Sequence, residues 1–362
     1  MALPVFFISS LTLEQWDHQT PWTTGIGGSE TSHIEMSQRL SFKGYNVISY
    51  APVAKPSKKG NVRWLPVDTF LTSKDAKKKG IFIFYRNPRL LDGAKPKGQQ
   101  WWFVAQDVDY DGQWTPEALA NVDRYICLCK DHASFTESKY PALRNKIYIS
   151  SNGIRSSYIR AIPNNPRNFN RMFFPSSPDR GVKLLLENWF RIREINPKAE
   201  LRVAYGFNNM EAIVKLMGPQ DWRADYQKEL EALLKQPGIT FTGRLNQGKI
   251  YQEWSQTGVW AHPTDFPETS CITCMEAQAL GAWPVTNKLW ALKDNVAYGY
   301  MVEGIPQKSD LVRSNWLQAL GKAFHNHDER LRKEMREWAL ENHDWEKVVT
   351  QWSNWIEEDS KK

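Results

Sequence analysis

The chain has 362 residues, a net charge of +7 and a hydrophobic content of 41%. This length fits two domains with ample core. The composition excludes a disordered chain, and no apolar run approaches the length of a membrane span. The positive excess is concentrated before Pro166, partly in the clusters Lys55, Lys58, Lys59 and Lys74, Lys77, Lys78, Lys79.

Lysine clusters of this kind have two explanations. The simpler one is that they lie in solvated surface loops, and the alternative is that they attract an acidic acceptor or an anionic membrane surface. We expect peripheral membrane contact, if any, through this basic N-terminal half. No recognisable nucleic-acid module accompanies the charge, so no nucleic-acid partner is expected.

The four cysteines are Cys127, Cys129, Cys271 and Cys274. Cys271 and Cys274 have redox-motif spacing without a thioredoxin context, and no second pair has metal-site spacing. We expect all four to be reduced thiols. The N-terminal apolar run has strand length and no basic segment before it, so we predict a cytoplasmic protein.

Taken in chain order, the first half alternates apolar runs with helical patterns. A helix is predicted over Ser29–Lys43, after a glycine-rich loop. The predicted strands are Val5–Ile8, Tyr45–Tyr50, Ile81–Tyr85, Trp101–Ala105, Tyr125–Cys129 and Lys146–Ser150. The near-continuous apolar runs among them are typical of buried parallel strands.

A polar, Pro/Asn-rich stretch at Ala161–Arg171 predicts a linker, and a second alternating series follows it. A long helix is predicted over Arg180–Ile195, and the chain is again helical from Ser309. The predicted strands are Met172–Pro175, Glu200–Tyr205, Ile239–Thr242, Gly258–His262 and Ala282–Thr286. The alternation predicts an α/β fold with two Rossmann-like parallel sheets, whose ligands bind at the carboxyl ends of strands.

A glycine-rich loop, Gly25–Glu30, lies between the first strand and the first helix. Glycines there allow close approach of the backbone to a ligand, and the helix N-terminus favours an anion. Glu30 occupies the place of the third glycine of a dinucleotide fingerprint, so the pattern is a weak indication of NAD.

The most informative stretch is Pro267–Gln278, which reads P-E-T-S-C-I-T-C-M-E-A-Q. Glu268 lies in a loop after a buried strand, and Glu276 lies in the helix that follows. Small polar residues between them fall where a helix N-terminus exposes N–H groups. Because carboxylates accept hydrogen bonds from hydroxyls, the stretch predicts a site for a phosphate flanked by sugars.

Four stretches in this order resemble GT-B fold glycosyltransferases of the retaining family 4 type. They are Gly25–Glu30, Ser151–Ile154, Ser176–Gly181 and the pair Glu268-x7-Glu276, and together they span nearly the whole chain. The resemblance implies two Rossmann-like domains facing a central cleft. It also implies transfer of a sugar from a nucleotide-diphosphate sugar to an acceptor hydroxyl, as in hexosyltransferases.

The resemblance implies a role for each matching residue. Glu268 would contact donor-sugar hydroxyls, Glu276 the ribose hydroxyls, and Arg180 the diphosphate, with Arg244 as a second cation. Amides near Ser270, Cys271 and Ile272 would meet the sugar or diphosphate, and Gly27 and Gly28 would line the same site. No metal and no cofactor are implied, since the UDP-, GDP- or ADP-sugar is a substrate.

Two positions depart from the family pattern. Phe174 stands where the family often has an arginine, so one cation is missing or comes from Arg244. Gln106 stands where the family often has a histidine, and Gln106 or Asp107 would take over its catalytic role. The catalytic candidates are therefore Gln106, Asp107, Arg180 and Glu268.

Residues 1–165 are predicted to form the acceptor domain and 166–345 the donor domain, with 346–362 a helix crossing back onto the first. The expected acceptor is a glycan, a glycolipid or another glycoconjugate. Asp107-Val108-Asp109 also spells D-x-D, which leaves a metal-dependent glycosyltransferase as one alternative. A non-catalytic nucleotide-sugar-binding protein is another.

Overall fold

The computed structural model describes residues 3–163 and 165–361, so Met1, Ala2, Asn164 and Lys362 lie outside it. The described chain divides into two compact units. The first takes its residues from Met1–Pro21, Ile26–Gly153 and Asp344–Lys362, and the second from Trp22–Gly25 and Ile154–His343.

The first unit is built on a sheet in the order β3-β4-β2-β1-β5-β6-β7-β8. Its strands are β1 Val5–Ser9, β2 Val47–Ala51, β3 Ser57–Lys59, β4 Val62–Pro66, β5 Gly80–Tyr85, β6 Gln99–Val104, β7 Arg124–Cys127 and β8 Ile147–Ile149. The pairings are parallel apart from the antiparallel edge pair β3–β4. Every residue of β5 is buried, which explains its continuous apolar sequence.

The second unit is built on a parallel sheet in the order β11-β10-β9-β12-β13-β14. Its strands are β9 Asn168–Phe174, β10 Glu200–Ala204, β11 Ile239–Gly243, β12 Thr257–His262, β13 Trp283–Asn287 and β14 Tyr300–Val302. The predicted α/β fold with two Rossmann-like parallel sheets is confirmed.

Helices connect these strands and cover the sheets. In chain order they are α1 Thr20–Thr23, α2 Gly28–Phe42, α3 Pro116–Asn121, α4 Lys130–Lys139, α5 Ser156–Arg160, α6 Val182–Glu187, α7 Trp189–Ile195, α8 Asn208–Met217, α9 Trp222–Leu233, α10 Gln247–Gln256, α11 Ile272–Ala279, α12 Leu292–Asn295, α13 Asp310–Phe324, α14 Glu329–Asn342 and α15 Trp345–Asp359. None of the helices in the described ranges is both long and apolar enough to cross a bilayer.

The helix α15 belongs to the first unit. Its Trp345 and Trp352 lie in one apolar core with Val5 and Trp102. Arg124, at the start of β7, donates from Nε to Oδ2 of Asp359 at 2.7 Å and from Nη2 to Oδ1 at 2.9 Å. Because both side chains are buried, this ion pair and the tryptophans fix α15 to the sheet.

Two predicted elements were wrong in extent. The predicted linker Ala161–Arg171 overlaps β9, which begins at Asn168 and pairs with β10 and β12. The predicted helix Arg180–Ile195 is divided at Asn188, whose side-chain amide donates to the carbonyl of Leu184 at 2.9 Å. A short 3₁₀ turn ends at Arg180, before α6 begins.

Candidate functional site

The order of the second sheet reverses between β9 and β12. From β9 the chain moves outward to β10 and β11, then returns to β12 on the other side. At such a reversal the two following loops diverge and leave a crevice at the carboxyl ends of the strands. Arg180 follows β9, Glu268 follows β12, and Arg244 follows β11 at the same edge.

Arg180 carries a cationic nitrogen without a hydrogen-bond partner in the described structure. Its Nη1 is buried, and its Nε lies 3.8 Å from Oδ1 of Asp179, beyond hydrogen-bond distance. The guanidinium carbon lies 3.1 Å from the ring centroid of Phe266, which holds the group in place. An unsatisfied guanidinium N–H is costly to bury, so this nitrogen is suited to an anionic oxygen.

Gly181 allows this turn to lie against the loop after β12. Its φ is +116°, and a Cβ at this position would collide with the backbone carbonyl of Pro263. Backbone atoms cannot move aside as a flexible side chain can, so both the conformation and the contact require glycine.

We therefore expect Gly181→Ala to lower the free energy of unfolding by about 3–5 kcal/mol, measured by urea denaturation. Gly93→Ala is the matched control, because Gly93 has a φ of +93° and no atom lies within 4 Å of the place that its Cβ would occupy. The control should lose only about 1–2 kcal/mol, the cost of the backbone conformation. Equal losses would show that the contact with Pro263 is unimportant.

The backbone of the loop that carries Glu268 is held by three hydrogen bonds, two of them to the Asn287 side chain. The amide of Thr264 donates to Oδ1 of Asn287 at 3.0 Å, and Nδ2 of Asn287 donates to the carbonyl of Thr264 at 2.9 Å. The amide of Ala291 donates to the carbonyl of Glu268 at 3.0 Å. The Glu268 side chain is 13% exposed, so its carboxylate is held in place but still reaches solvent.

Ser270 and Cys271 precede α11, which begins at Ile272 with Cys271 as its N-cap. The first N–H groups of a helix have no acceptor within the helix and attract anions. Burial raises the pKa of the Cys271 thiol, and the nearby charges of Glu268 and Arg180 raise and lower it respectively, so the helix start and the guanidinium are close together. Hydroxyl oxygens of Ser176 and Thr273, 3.1 Å apart, link the loop that follows β9 to the first turn of α11.

Glu276 is a buried carboxylate, 4% exposed. Burial raises its pKa to about 7, against the lowering effect of the Arg155 charge and of a hydrogen bond from Gln247. Nε2 of Gln247 donates to Oε1 at 2.6 Å. The guanidinium of Arg155 lies 4.9 Å from the ring centroid of Trp22. Glu276 thus offers a second acceptor to paired hydroxyls while remaining shielded from water.

Arg244 directly follows β11, and its backbone nitrogen and Cβ lie beside Gly206, after β10. Phe174, at the position where a cation was expected, is fully buried at the end of β9 and stacks on His262 with ring centroids 5.4 Å apart. The side chain at 174 therefore belongs to the core.

In the first unit, the predicted Asp107 follows β6 and pairs with Arg86, which follows β5. Nε of Arg86 lies 2.8 Å from Oδ2 of Asp107, and Nη1 lies 3.4 Å from Oε1 of Glu30. Arg86 has a φ of +63°, a strained conformation for a residue other than glycine. Burial raises the pKa of Glu30, and Arg86 opposes that shift.

The remaining predicted residues of this unit are near Glu30 or Asp107 in the sequence. Gly27 is the N-cap of α2, Gly28 is its first residue, and the space beside Gly27 holds the Glu30 carboxylate. Gln106 exchanges side-chain amide hydrogen bonds with Asn152 at 3.3 and 3.1 Å. These residues lie at the carboxyl edge of the first sheet.

The two carboxylates of the D-x-D stretch are each paired with a cation. Asp107 pairs with Arg86, and Asp109 pairs with Lys139 and accepts a hydrogen bond from Tyr140 at 2.8 Å. Neither belongs to the cluster of metal-ligand side chains found among the described residues, which is His262, Glu268 and Cys271.

Sequence reasoning gave no site role to four neighbours of the predicted residues, namely Arg86, Arg155, Gln247 and His262, and interpreted His262 as a packing residue. Arg86 and His262 had a usable signal, since each stands at the carboxyl end of a predicted strand. Arg155 and Gln247 had none, because each contacts its partner across a long separation in sequence.

Comparison with known proteins agrees with this geometry. Residues 169–306 match the sequence family described as Glycosyl transferases group 1. No curated protein matches the chain by sequence. The match to group 1 covers the strands and loops that carry Arg180, Arg244, Glu268 and Glu276, and it supports glycosyl transfer as the activity.

Solved structures similar to the chain have the GT-B fold. One is the catalytic domain of starch synthase IV from Arabidopsis thaliana, bound to ADP and acarbose, with a TM-score of 0.67 at 11% identity over 100% of both chains. Another is sucrose-phosphate synthase from Thermosynechococcus elongatus, with a TM-score of 0.65 at 14% identity over 98% of both chains. A third is Anabaena HepE in complex with UDP-glucose, with a TM-score of 0.63 at 12% identity over 98% of this chain and 100% of that one. The chain has the α/β GT-B fold, and its residues 169–306 are similar in sequence to the glycosyl transferases group 1 family.

Proposed function

We propose that this protein is a metal-independent, retaining glycosyltransferase of the family 4 type. It moves a sugar, in the manner of a hexosyltransferase, from a nucleotide-diphosphate sugar to a hydroxyl of a glycan, glycolipid or other glycoconjugate. The observation that carries the proposal is the unpaired Nη1 of Arg180, buried at the carboxyl edge of the second sheet near the start of α11.

In this proposal the second unit holds the donor. Arg180 and the backbone amides at Ser270–Ile272, just before and at the start of α11, bind the diphosphate, with Arg244 as a second cation. Glu268 accepts hydrogen bonds from sugar hydroxyls, and Glu276 accepts them from the ribose. A similar structure holds ADP and another holds UDP-glucose, which supports this class of donor without naming its base or sugar.

The chemistry required is stabilisation of the departing diphosphate. Cationic groups and helix N–H groups fixed before reaction provide it without reorganisation in the transition state. We propose front-face attack by the acceptor hydroxyl, assisted by the diphosphate, because no side chain stands out as a covalent nucleophile. In the first unit, Asp107 and Gln106 remain the catalytic candidates, and Gly27 and Gly28 remain candidates for binding the donor.

Metal independence is supported by the ion pairs of the D-x-D stretch. A carboxylate already paired with Arg86 or Lys139 would have to give up that partner to bind Mg²⁺ or Mn²⁺. This favours cationic side chains over a metal as the partner of the diphosphate.

Surface charge and the state of the thiols support the proposed acceptor and location. The lysines of both N-terminal clusters are exposed, and Leu71, which precedes the second cluster, is 67% exposed. This supports an anionic acceptor or peripheral contact with an anionic membrane. All four cysteines are free, which supports a cytoplasmic location.

A nucleotide-sugar panel tests the proposal. We expect one donor to raise the melting temperature, and release of its nucleotide to increase when a matching acceptor is added, with EDTA without effect. The acceptors should include neutral glycans, phosphorylated glycans and lipid-linked sugars, and NMR of the product should show the anomeric configuration of the donor. Binding without turnover would favour a non-catalytic binding protein, and loss of activity in EDTA would favour the metal-dependent alternative.

A further inference from the structure

The end of β12 and the loop after it bring together three side chains with different metal-ligand atoms. His262 ends β12, Glu268 lies in the loop, and Cys271 caps α11. One ligand atom of each lies within 4.8 Å of the others, and Nε2 of His262 lies 3.6 Å from Oε1 of Glu268. The cluster is formed within the second unit alone.

His262 provides a second, independent indication of a ligand. Its side chain is fully buried, and neither ring nitrogen has a hydrogen-bond partner among the described residues. The ring lies against Phe174 and Trp260, with centroid distances of 5.4 and 4.8 Å. Leaving a buried polar group without a hydrogen bond is unfavourable, so a ligand bound to Nε2 would relieve this penalty.

We propose that His262 Nε2, the Glu268 carboxylate and Cys271 Sγ form a three-ligand site for Zn²⁺, with a fourth position open to water. Imidazole and thiolate select zinc over Mg²⁺, Ca²⁺ and Mn²⁺, which prefer oxygen ligands. The thiolate and the carboxylate together balance the charge of the ion. Zinc sites with three protein ligands and one open position are well known.

The cluster is close to the geometry that zinc requires. Tetrahedral bonds of about 2.0–2.3 Å place neighbouring ligand atoms roughly 3.3–3.7 Å apart. The His262–Glu268 pair, at 3.6 Å, already has this spacing. Any wider pair lies within 4.8 Å, so it must shorten by about 1 Å to reach this spacing. Zinc binding releases the proton of the thiol.

Zinc in this position is an inhibitor of transfer, and this step rests on the proposed function. The ion would bind the Glu268 carboxylate, which in the proposed function accepts hydrogen bonds from hydroxyls of the donor sugar. Donor and zinc therefore exclude each other, although the transfer reaction itself needs no metal. Binding of zinc to the protein does not depend on the proposed function.

A zinc titration against a chromophoric chelator tests the site in the metal-stripped protein. We expect one zinc per chain, and a loss of affinity of at least about 100-fold in His262→Phe and in Cys271→Ser. The matched control is Cys274→Ser, which removes another buried thiol outside the cluster and should keep the wild-type affinity. Failure of the wild type to bind zinc, or unchanged affinity in either ligand variant, would overturn the site.

A second measurement is independent of the variants and their folding. Co²⁺ bound to the wild-type protein should show the charge-transfer absorption of a thiolate ligand, and absence of this band would overturn the assignment of Cys271. Donor binding should weaken as zinc rises and recover with chelator. If zinc binds but donor affinity does not change, the inhibitory step is overturned. If the protein binds no nucleotide sugar at all, the proposed function is contradicted, but the zinc site is not.

Discussion

Arg180→Met should lower kcat for sugar transfer by about 10²–10³-fold, the usual loss when one preorganised group facing transition-state charge is removed. The unpaired Nη1 is the group that would meet the departing diphosphate. Charge on this leaving group grows during the reaction, so kcat should fall more than donor affinity. Steady-state nucleotide release with one donor and one acceptor measures both parameters.

Two further variants separate charge from structure. Arg180→Lys should recover part of the rate, because lysine keeps the charge but lacks the planar fork of arginine. Arg191→Met, on the exposed face of α7, should keep full activity. Melting temperatures of the Arg180 variants should stay near that of the wild type, since Nη1 has no hydrogen bond to lose and a methionine or lysine side chain can still pack on Phe266. An unchanged kcat in Arg180→Met would remove Arg180 from the site.

Glu276→Gln should weaken nucleotide binding by about 10–100-fold, the value of one hydrogen bond to a charged acceptor. The same change should stabilise the folded protein at pH 8. The folded pKa of Glu276 is about 7, above its ordinary 4.5, because burial disfavours the charged form. Calorimetric nucleotide titration and thermal unfolding measure the two effects.

The pH dependence follows from this shift. Between pH 4.5 and about 7 the folded protein holds a proton on Glu276 that the unfolded chain has lost, so stability from this group falls as pH rises through that window. The stability gain of Glu276→Gln should therefore be largest above pH 7 and shrink below it. Wild-type nucleotide affinity should decrease below pH 7, as the carboxylate takes up its proton.

Glu341→Gln on the exposed end of α14 is the control and should change neither property. A Glu276→Gln variant that binds nucleotide like the wild type would overturn the ribose assignment. If Glu276→Gln has the same stability as the wild type at pH 8, then burial of the charged Glu276 carboxylate does not destabilise the free protein.

The sequence predicted the parallel sheets because buried strands such as Ile81–Tyr85 are continuous apolar runs. It also predicted that Arg180 and Glu268 lie at the carboxyl edge of the second sheet, because each follows one of its strands. It misplaced the start of β9, where the polar Asn168–Arg171 pair as a strand in the sheet. It also missed the break at Asn188, since apolar periodicity continues from α6 into α7.

The side-chain environment of the site was less accessible to sequence reasoning. The hydrogen bond from Gln247 to Glu276 spans 29 residues, and the one from Arg86 to Glu30 spans 56. Such pairs depend on where loops from separate strands converge, and no local pattern records this. The unpaired nitrogens of His262 likewise become visible only when its surroundings are known.

The position of α15 has a consequence for synthesis on the ribosome. The core of the first unit needs Trp345 and Trp352, yet residues 154–343 of the second unit are made before them. At about 5–20 residues per second, those 190 residues take roughly 10–40 s to translate. During that interval the apolar surface that α15 later covers has no partner within the first unit, so we expect chaperones to bind the nascent first unit until the helix emerges.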